Sequence, residues 1–256
     1  NFGKAHLEGF GGGEGVIEGK SEMYHYLSVN DKLAFINLED SIQVEKAADL
    51  KFFSFGIKKE NADVNIIDVK ANPFVEINFS NLIIKSHLIG LYNANNINAA
   101  LTIGKYFGVD DIAIKEGLES YIPENNRSQL LSKGTNQIIL DAYNANPSSM
   151  KVAIENFLQL DNPNKIMILG DMFELGDAST QEHLEVLKLL LDKNEIQCFF
   201  IGSAFYANKT VTTHFHFYET FDSFSEYLKE IKIVNSVVLI KGSRGMALER
   251  TLQFFS

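Results

Sequence analysis

Polar side chains that could bind a ligand follow four separate apolar runs in the second half of the chain. The residues directly after these runs are Asp141, Gly170-Asp171, Gly202-Ser203 and Lys241-Gly242-Ser243-Arg244. Carboxylates accept hydrogen bonds from hydroxyl groups, whereas lysine and arginine bind carboxylates and phosphates. Aspartate and glycine also end strands and cap helices, and we favour that explanation for any single position. For all four positions together, we favour a ligand-binding rim.

The elements around these residues indicate how the side chains are brought together. Four runs are nearly all apolar, at residues 137–140, 165–169, 196–201 and 237–240. Such runs are typical of strands that are covered on both faces. Helical patterns follow the runs at residues 148–160, 179–191, 221–231 and 246–255. The second pattern opens with a capping box at residues 179–182. This alternation predicts a doubly wound α/β domain, in which ligands bind at the carboxyl ends of the strands.

The first half of the chain is less regular. Residues 14–27 have a helical pattern whose expected inner face is Val16, Ile17, Met23 and Leu27. Five short strand candidates follow at residues 33–37, 52–55, 64–69, 74–79 and 82–87. The turn signal Ser80-Asn81 predicts that the last two strands form a hairpin. Two helices are predicted at residues 93–107 and 110–120. A linker at residues 122–126 then divides the chain into the regions 1–123 and 124–256.

The composition limits the classes of protein to which the chain can belong. Of its 256 residues, 45% are hydrophobic, which is enough for a substantial core. Residues 1–123 carry 11 basic and 17 acidic side chains, and residues 124–256 carry 12 and 16, so neither half has the basic surface that binds nucleic acid. No apolar run is long enough for a membrane span. The single cysteine, Cys198, predicts a buried thiol and fits a cytoplasmic protein.

Five segments of the chain resemble the Mur ligase family, in the order in which the family has them. They are residues 5–11 with Lys20, residues 90–96, Arg127 with residues 141–150, residues 169–176, and residues 241–246. The most specific patterns are Asp-x-Tyr-Asn-Ala-Asn-Pro at 141–147 and Gly-Asp-Met-x-Glu-Leu-Gly at 170–176. The resemblance covers essentially the whole chain.

The resemblance implies an enzyme with a UDP-binding domain, a central ATPase domain and a Rossmann-like C-terminal domain. Residues 1–123 would be the C-terminal portion of an incomplete central domain, and residues 124–256 would be the C-terminal ligase domain. The implied reaction is ATP-dependent and needs Mg²⁺: it adds D-alanyl-D-alanine to UDP-N-acetylmuramoyl-tripeptide through an acyl phosphate. The sequence contains no Gly-x-x-Gly-Lys-Ser/Thr phosphate loop, so we predict that these residues alone are inactive.

The resemblance also implies roles for residues that would bind ATP and metal. His6 matches a metal-ligand histidine, although a loop hydrogen bond is the plainer explanation for it. Lys20 matches a catalytic lysine that relatives carry as a metal-bridging carbamate, although helix lysines are ordinarily solvated. Asn93 and Asn96 match a segment that contacts adenine, and asparagine also caps helices. Two further matches are the phosphate-binding, catalytic Arg127 and Asp141, which would contact the ribose.

The remaining matches concern the substrates. Tyr143, Asn144 and Asn146 are expected near the acyl phosphate and the incoming dipeptide, with catalytic roles for the two asparagines. Asp171, Lys241, Ser243 and Arg244 would complete the substrate site, and Lys241 is also a catalytic candidate. Lys241 and Arg244 could hold the carboxylate of the dipeptide or the acidic tripeptide.

Two other functions remain open from the sequence. One is a related ligase of the folylpolyglutamate synthase type, against which residues 143–147 argue. The other is a nucleotide- or peptide-binding module without catalysis. The oligomeric state is open as well. Sheet edges left uncovered in the first region would favour self-association.

Overall fold

The computed structural model describes residues 2–3, 6–124 and 126–255, so Ala5 and Asn125 of the segments named above lie outside the described residues. The chain forms two compact units. Residues 10–122 make up most of the first unit, and residues 123–255 make up most of the second, to which residues 6–9 also belong. No helix among the described residues is long and apolar enough to cross a membrane.

The first unit is built on a five-stranded mixed sheet. In spatial order its strands are β1 (Leu33–Asn37), β2 (Lys51–Ile57), β3 (Val64–Ala71), β4 (Phe74–Phe79) and β5 (Leu82–Ile89). The first three strands are parallel, and the last three are antiparallel. The predicted hairpin is therefore confirmed, and it closes where Phe79 pairs with Leu82.

Helices pack on this sheet and complete its core. They are α2 (Gly13–Val29), α3 (Ser41–Lys46), α4 (Ala94–Tyr106) and α5 (Asp111–Ser120), after the short α1 (Leu7–Phe10). Ile97 and Leu101 of α4 are buried with the strand residues Ile66 and Ile77. The expected inner face of α2 is partly wrong, because Met23 is exposed and Tyr24 is buried in its place.

The second unit contains a six-stranded sheet. In chain order its strands are β6 (Gln129–Lys133), β7 (Asn136–Asp141), β8 (Lys165–Gly170), β9 (Gln197–Ile201), β10 (Phe215–Tyr218) and β11 (Val237–Lys241). Their spatial order is β10-β9-β8-β11-β7-β6. All pairs are parallel except β6 with β7. The four central strands are the four predicted apolar runs, and the α/β prediction is confirmed.

The edge strands of this sheet were not predicted. β6 and β10 each have only one neighbouring strand, so they lack the continuous apolar pattern of strands buried between two neighbours. β6 ends in Ser132 and Lys133, which are polar, and β10 is only four residues long with His216 inside it. The side chains of an edge strand need not be apolar throughout. A search for continuous apolar runs therefore misses both strands.

The helices of the second unit are α6 (Pro147–Leu158), α7 (Ser179–Leu190), α8 (Ser203–Ala207) and α9 (Phe221–Glu230). The capping box predicted at residues 179–182 is wrong, because Ser179 already lies inside the helix after a 3₁₀ turn at Gly176–Ala178. A capping box is found instead at α6, between Asn146 and Ser149. Residues 248–254 form a 3₁₀ helix rather than an α-helix, and it follows Ala247 in the left-handed conformation.

Candidate functional site

The carboxyl ends of β8, β11 and β7 lie side by side in the second unit. In this register Lys241 of β11 is the partner of Asp141 in β7 and of Leu169 in β8. The polar residues that follow these strands therefore share one edge of the sheet, as parallel strands require. Ser203 begins α8 directly after the next strand, β9. This edge of the second unit is its candidate ligand-binding rim.

Lys241 and Asp141 form an ion pair at the centre of this rim. The Lys241 Nζ lies 2.7 Å from Oδ2 of Asp141 and also donates to the carbonyl oxygen of Asn144 at 3.2 Å. The backbone N–H of Ser128 donates to the other Asp141 oxygen at 3.2 Å. Lys241 is only 1% exposed. A buried charge is stable only when it is paired and hydrogen-bonded, and these contacts meet that requirement.

Ser243 ties three loops of the rim together. Its hydroxyl accepts from the N–H of Phe173 at 2.8 Å and donates to the carbonyl of Ala145 at 3.3 Å. Its own N–H donates to the carbonyl of Asp171 at 3.1 Å. The side chain is 3% exposed. Ser243 thus joins the segments that follow β7, β8 and β11.

Asp171 is buried, and its carboxylate accepts hydrogen bonds from backbone N–H groups. Its carboxylate accepts from the N–H groups of Ala204 and Phe205 at 2.8 and 3.0 Å. A Cβ atom at Gly202, whose φ is +126°, would overlap this carboxylate. These contacts give Asp171 a structural role at the start of α8, and its expected contact with the substrate stays a prediction.

A buried histidine lies beside Asp171 without forming a salt bridge with it. His183 Nε2 accepts from the N–H of Met172 at 3.0 Å, and Nδ1 donates to the carbonyl of Ser179 at 2.7 Å. One ring nitrogen is therefore an acceptor and the other a donor, which is the pattern of a neutral imidazole. The 3.7 Å approach of Nε2 to Asp171 is then a contact between a neutral ring and a carboxylate.

Three other residues of the rim face solvent. The guanidinium carbon of Arg127 lies 3.7 Å from the centroid of the Tyr143 ring, which is 40% exposed. This geometry is a cation–π contact, which holds the guanidinium over the face of the ring. Asn144 is exposed, and its Oδ1 accepts from the N–H of Ala145.

Arg244 and Asn146, the remaining predicted site residues of this unit, form polar contacts with residues close to them in the sequence. Arg244 is largely exposed, with Nη1 3.4 Å from Glu249. Asn146 caps α6, where its Oδ1 accepts from the N–H of Ser149 at 2.9 Å. Asn146 therefore has a structural function that is independent of any chemistry.

In the first unit, Asn93 and Asn96 differ in their surroundings. Asn93 is buried, its Nδ2 donates to the carbonyl of Ile89, and its Oδ1 accepts from Nδ2 of Asn96 at 3.1 Å. Asn96 is exposed and lines a cavity of about 550 Å³. Other polar residues lining this cavity are Asn37, Glu39, Asp40, Ser41, Gln43 and Asn95.

Most of that polar lining was not predicted from the sequence. Asn37 is the last residue of β1, and Glu39 and Asp40 follow it. The signal was present, since these are polar residues at the carboxyl end of a strand in a sheet with parallel pairs. The strand-end argument that selected Asp141 and Lys241 selects Asn37 as well.

The two metal candidates are placed in different units. The His6 Nδ1 is within hydrogen-bond distance of the Glu174 carboxylate in the second unit, and both side chains are more than half exposed. Lys20 lies in α2 of the first unit. Within residues 2–3, 6–124 and 126–255, no group of three or more His, Cys, Asp and Glu residues could hold a metal ion.

Two family models match the chain. The Mur ligase middle domain matches residues 1–104, and the Mur ligase glutamate ligase domain matches residues 126–244. Together they leave only residues 105–125 and 245–256 unmatched. The chain belongs to the Mur ligase family.

Individual relatives in this family carry more specific names than the family models do. The UDP-N-acetylmuramoyl-tripeptide--D-alanyl-D-alanine ligase of Bacillus subtilis is 28% identical over 99% of this chain and 57% of its own length. The crystal structure of a MurF ligase from Thermotoga maritima in complex with ADP has a TM-score of 0.81 and 25% identity, over 100% of this chain and 60% of that one. The chain thus spans less than two thirds of the length of each of these relatives.

A solved structure from the alternative class of ligase has a similar fold. A folylpolyglutamate synthase of Mycobacterium tuberculosis, solved with ADP and AMPPCP, has a TM-score of 0.59 over 87% of this chain. Its sequence identity is 14%, so the likeness concerns the fold alone.

Proposed function

We propose that this chain is the nucleotide- and dipeptide-binding part of an ATP-dependent ligase that joins D-alanyl-D-alanine to UDP-N-acetylmuramoyl-tripeptide, a step of peptidoglycan precursor synthesis. The observation that carries the proposal is the similarity to such a ligase over 99% of the chain. The Asp-Ala-Tyr-Asn-Ala-Asn-Pro segment at residues 141–147 supports it, because this segment lies at the rim where parallel strands end.

The contacts of the asparagines sharpen the proposed adenine site. Asn96 faces the cavity in the first unit, and its amide can both donate to and accept from a purine edge. Both polar groups of Asn93 already have protein partners. We therefore assign the contact with the adenine base to Asn96. Asn93 orients the Asn96 amide through the hydrogen bond between the two side chains.

The ribose and phosphate roles fall on Asp141 and Arg127. Each oxygen of Asp141 accepts one protein hydrogen bond and has a lone pair left for a ribose hydroxyl. The exposed guanidinium of Arg127 suits two phosphate oxygens at once. Its charge would stabilise the negative charge that develops during phosphoryl transfer.

The proposed reaction has two steps. A carboxylate oxygen of the tripeptide forms a bond to the γ-phosphorus of ATP, and ADP leaves. The amine of D-alanyl-D-alanine then attacks the carbonyl carbon of the acyl phosphate, and phosphate leaves as the amine loses a proton. Arg244, exposed at the rim, is the candidate for holding the carboxylate of the dipeptide.

The residues that the structure describes do not by themselves fit a magnesium site. Mg²⁺ needs several oxygen ligands in octahedral geometry, and the described ranges contain no cluster of three or more candidate ligand side chains. We therefore derive no step through the ion. Metal binding by His6 and by a carbamylated Lys20 stays a prediction of the family resemblance.

Amide formation with purified substrates tests the proposal. The complete gene product, given ATP, Mg²⁺, the UDP-linked tripeptide and D-alanyl-D-alanine, is expected to release phosphate and form the amide. The 256 residues alone are expected to form none, because their sequence has no phosphate-loop pattern. Transfer of glutamate to folate by the complete protein would favour the folylpolyglutamate synthase type. ATP binding without phosphate release would favour a binding module.

The proposed substrates and the chemistry of the chain suit the cytoplasm. ATP and UDP-linked precursors are cytoplasmic metabolites, and the single cysteine leaves the chain without an internal disulfide.

A further inference from the structure

We infer that Lys241 and Ser243 are positioning residues that clamp the loop of residues 142–146, rather than ligands of the substrate. The inference deepens the proposed function and rests on it for its kinetic part. The clamp consists of Lys241, the last residue of β11, and Ser243, two positions further along the chain. It acts on the loop that joins β7 to α6, whose sequence is Ala142-Tyr143-Asn144-Ala145-Asn146.

The Lys241 ammonium group has its partners inside the protein. One N–H donates to Asp141 at the start of the loop, and another donates to the carbonyl of Asn144 in its middle. With 1% exposure, the side chain is covered by protein on all sides. A substrate carboxylate could reach this cation only by displacing Asp141. That exchange would leave the partly buried Asp141 carboxylate without its counter-ion, which is unfavourable.

Ser243 holds the same loop from a point two positions after Lys241. Its hydroxyl donates to the carbonyl of Ala145 and accepts from the N–H of Phe173, so its single donor is already used. The loop carbonyls at positions 144 and 145 are therefore both drawn towards the end of β11. A serine that is 3% exposed and whose single donor is used has no hydrogen-bond donor left for a substrate carboxylate.

The clamp has a visible consequence for the loop. Ala142 and Ala145 are buried, whereas Tyr143 and Asn144 between them are exposed. Drawing the carbonyls inwards holds these two side chains on the solvent face of the rim. Arg127 stacks on the ring of Tyr143, so the clamp also sets the position of a cation that we assign to phosphate. Arg244, immediately after Ser243, is exposed and provides a matched control on the same segment.

Hydrogen exchange on this chain tests the clamp without any ligase assay. Four variants are compared: Ser243→Ala, Lys241→Met, Lys241→Met/Asp141→Asn and Arg244→Gln. Losing one hydrogen bond of the clamp should raise exchange at the amides of Tyr143, Asn144 and Ala145 about tenfold. Arg244→Gln should leave these amides unchanged.

The double variant separates local positioning from global stability. Lys241→Met leaves the partly buried Asp141 carboxylate without its counter-ion and should lower overall stability. Replacing Asp141 by asparagine as well removes that charge, so global stability should return while the amides at 143–145 still exchange faster. Wild-type protection of these amides in both Ser243→Ala and the double variant would overturn the inference.

Kinetics of the complete gene product then distinguish a clamp from a ligand. Ser243→Ala should lower kcat about tenfold, with little change in the KM for D-alanyl-D-alanine, because fewer molecules hold the loop correctly. Arg244→Gln should mainly raise that KM. A rise in KM for the dipeptide with unchanged kcat in Ser243→Ala would identify Ser243 as a ligand and refute the clamp. Changed loop exchange in a protein without ligase activity would refute the proposed function and leave the clamp intact.

Discussion

At the scale of single residues, the exposed Arg127 and the buried Lys241 show two ways of holding a cation. Arg127 rests on the face of the Tyr143 ring and keeps its guanidinium edge open to solvent. The Lys241 ammonium lies 2.7 Å from the Asp141 carboxylate and is enclosed by protein. Since a ligand must be able to reach the group that binds it, Arg127 is the better candidate for contact with phosphate. Lys241 instead stabilises the adjoining loop through its contacts with Asp141 and with the carbonyl of Asn144.

The stack between Arg127 and Tyr143 predicts a specific effect of removing the ring. Tyr143→Leu should raise the KM for ATP in the complete gene product about two- to fivefold, which corresponds to an exposed cation–π contact. Tyr143→Phe keeps the ring and should stay near the wild-type value. Equal effects of both substitutions would assign the role to the Tyr143 hydroxyl instead of the ring.

Burial of Cys198 predicts both its reactivity and a dependence of stability on pH. Burial, with a smaller effect of the charge of Glu195, raises the pKa of the thiol from 9.0 to about 12. The thiolate is the reactive form, so alkylation by iodoacetamide at pH 8 should occur only after unfolding. The unfolded thiol ionises at a lower pH than the folded one. The contribution of Cys198 to stability should therefore be constant below about pH 8.5 and decline from there towards pH 12.

Denaturation of the wild type and a Cys198→Ala variant at several pH values isolates this effect. The decline in stability between pH 9 and 11 should be shallower in the variant, because the variant lacks the titrating thiol. Fast alkylation of the native wild type at pH 8 would contradict the burial argument.

At the scale of elements, the residue that caps α6, Asn146, also carries a predicted chemical role. The Asn146 Oδ1 caps the helix by accepting from the N–H of Ser149, and the Ser149 Oγ accepts from the N–H of Asn146. Pro147 follows at the first helical position, where its missing N–H costs nothing. The loop and the helix are thus joined at one residue, so a change there can act on stability, on chemistry or on both.

Two substitutions of Asn146 separate these effects. Asn146→Ala should lower the free energy of unfolding by about 1 kcal/mol, since the cap is lost. Asn146→Ser keeps a capping oxygen and should stay within a few tenths of a kcal/mol of wild type. Stability is measured by chemical denaturation of this chain, and activity is measured in the complete gene product. Full activity of the serine variant would remove Asn146 from the list of catalytic candidates.

At the scale of the whole molecule, the two compact units have separate apolar cores. The core of the second unit includes Ile168, Phe224, Val238 and Ile240, and its central strands are covered by helices and flanked by β6 and β10. The core of the first unit includes Ile66, Ile77 and Leu101. In that unit the aromatic side chains of Phe52 and Phe107 are exposed. Exposed aromatic side chains favour association.

These differences predict unlike behaviour of the two units when they are expressed separately. Residues 123–256 should fold alone, with dispersed amide resonances and one cooperative unfolding transition. Residues 10–122 should associate, which light scattering coupled to size-exclusion chromatography would detect as a mass above the monomer. A monomeric first unit with a cooperative transition would contradict this prediction, as would an unfolded second unit.

Local sequence was sufficient for much of the architecture. The all-apolar runs of β7, β8, β9 and β11 identify central strands, because a strand buried on both faces needs apolar side chains throughout. β1 and β4 were predicted with the bounds that the structure has. The edge strands β6 and β10 and the short helices α3 and α8 were not predicted, because their few residues carry no sustained period.

The sequence determined which residue types stand at the strand ends. The tertiary structure decided which of their side chains are exposed to solvent and which are buried against other protein groups. Asp141, Lys241, Ser243 and Arg244 were all expected to contact ligands or substrate. Lys241 and Asp141 are 100 residues apart in the chain, and only the pairing of β11 with β7 makes them partners. Whether a polar side chain meets solvent or another side chain depends on the order of strands in the sheet. That order arises from packing between distant segments, which no local pattern encodes.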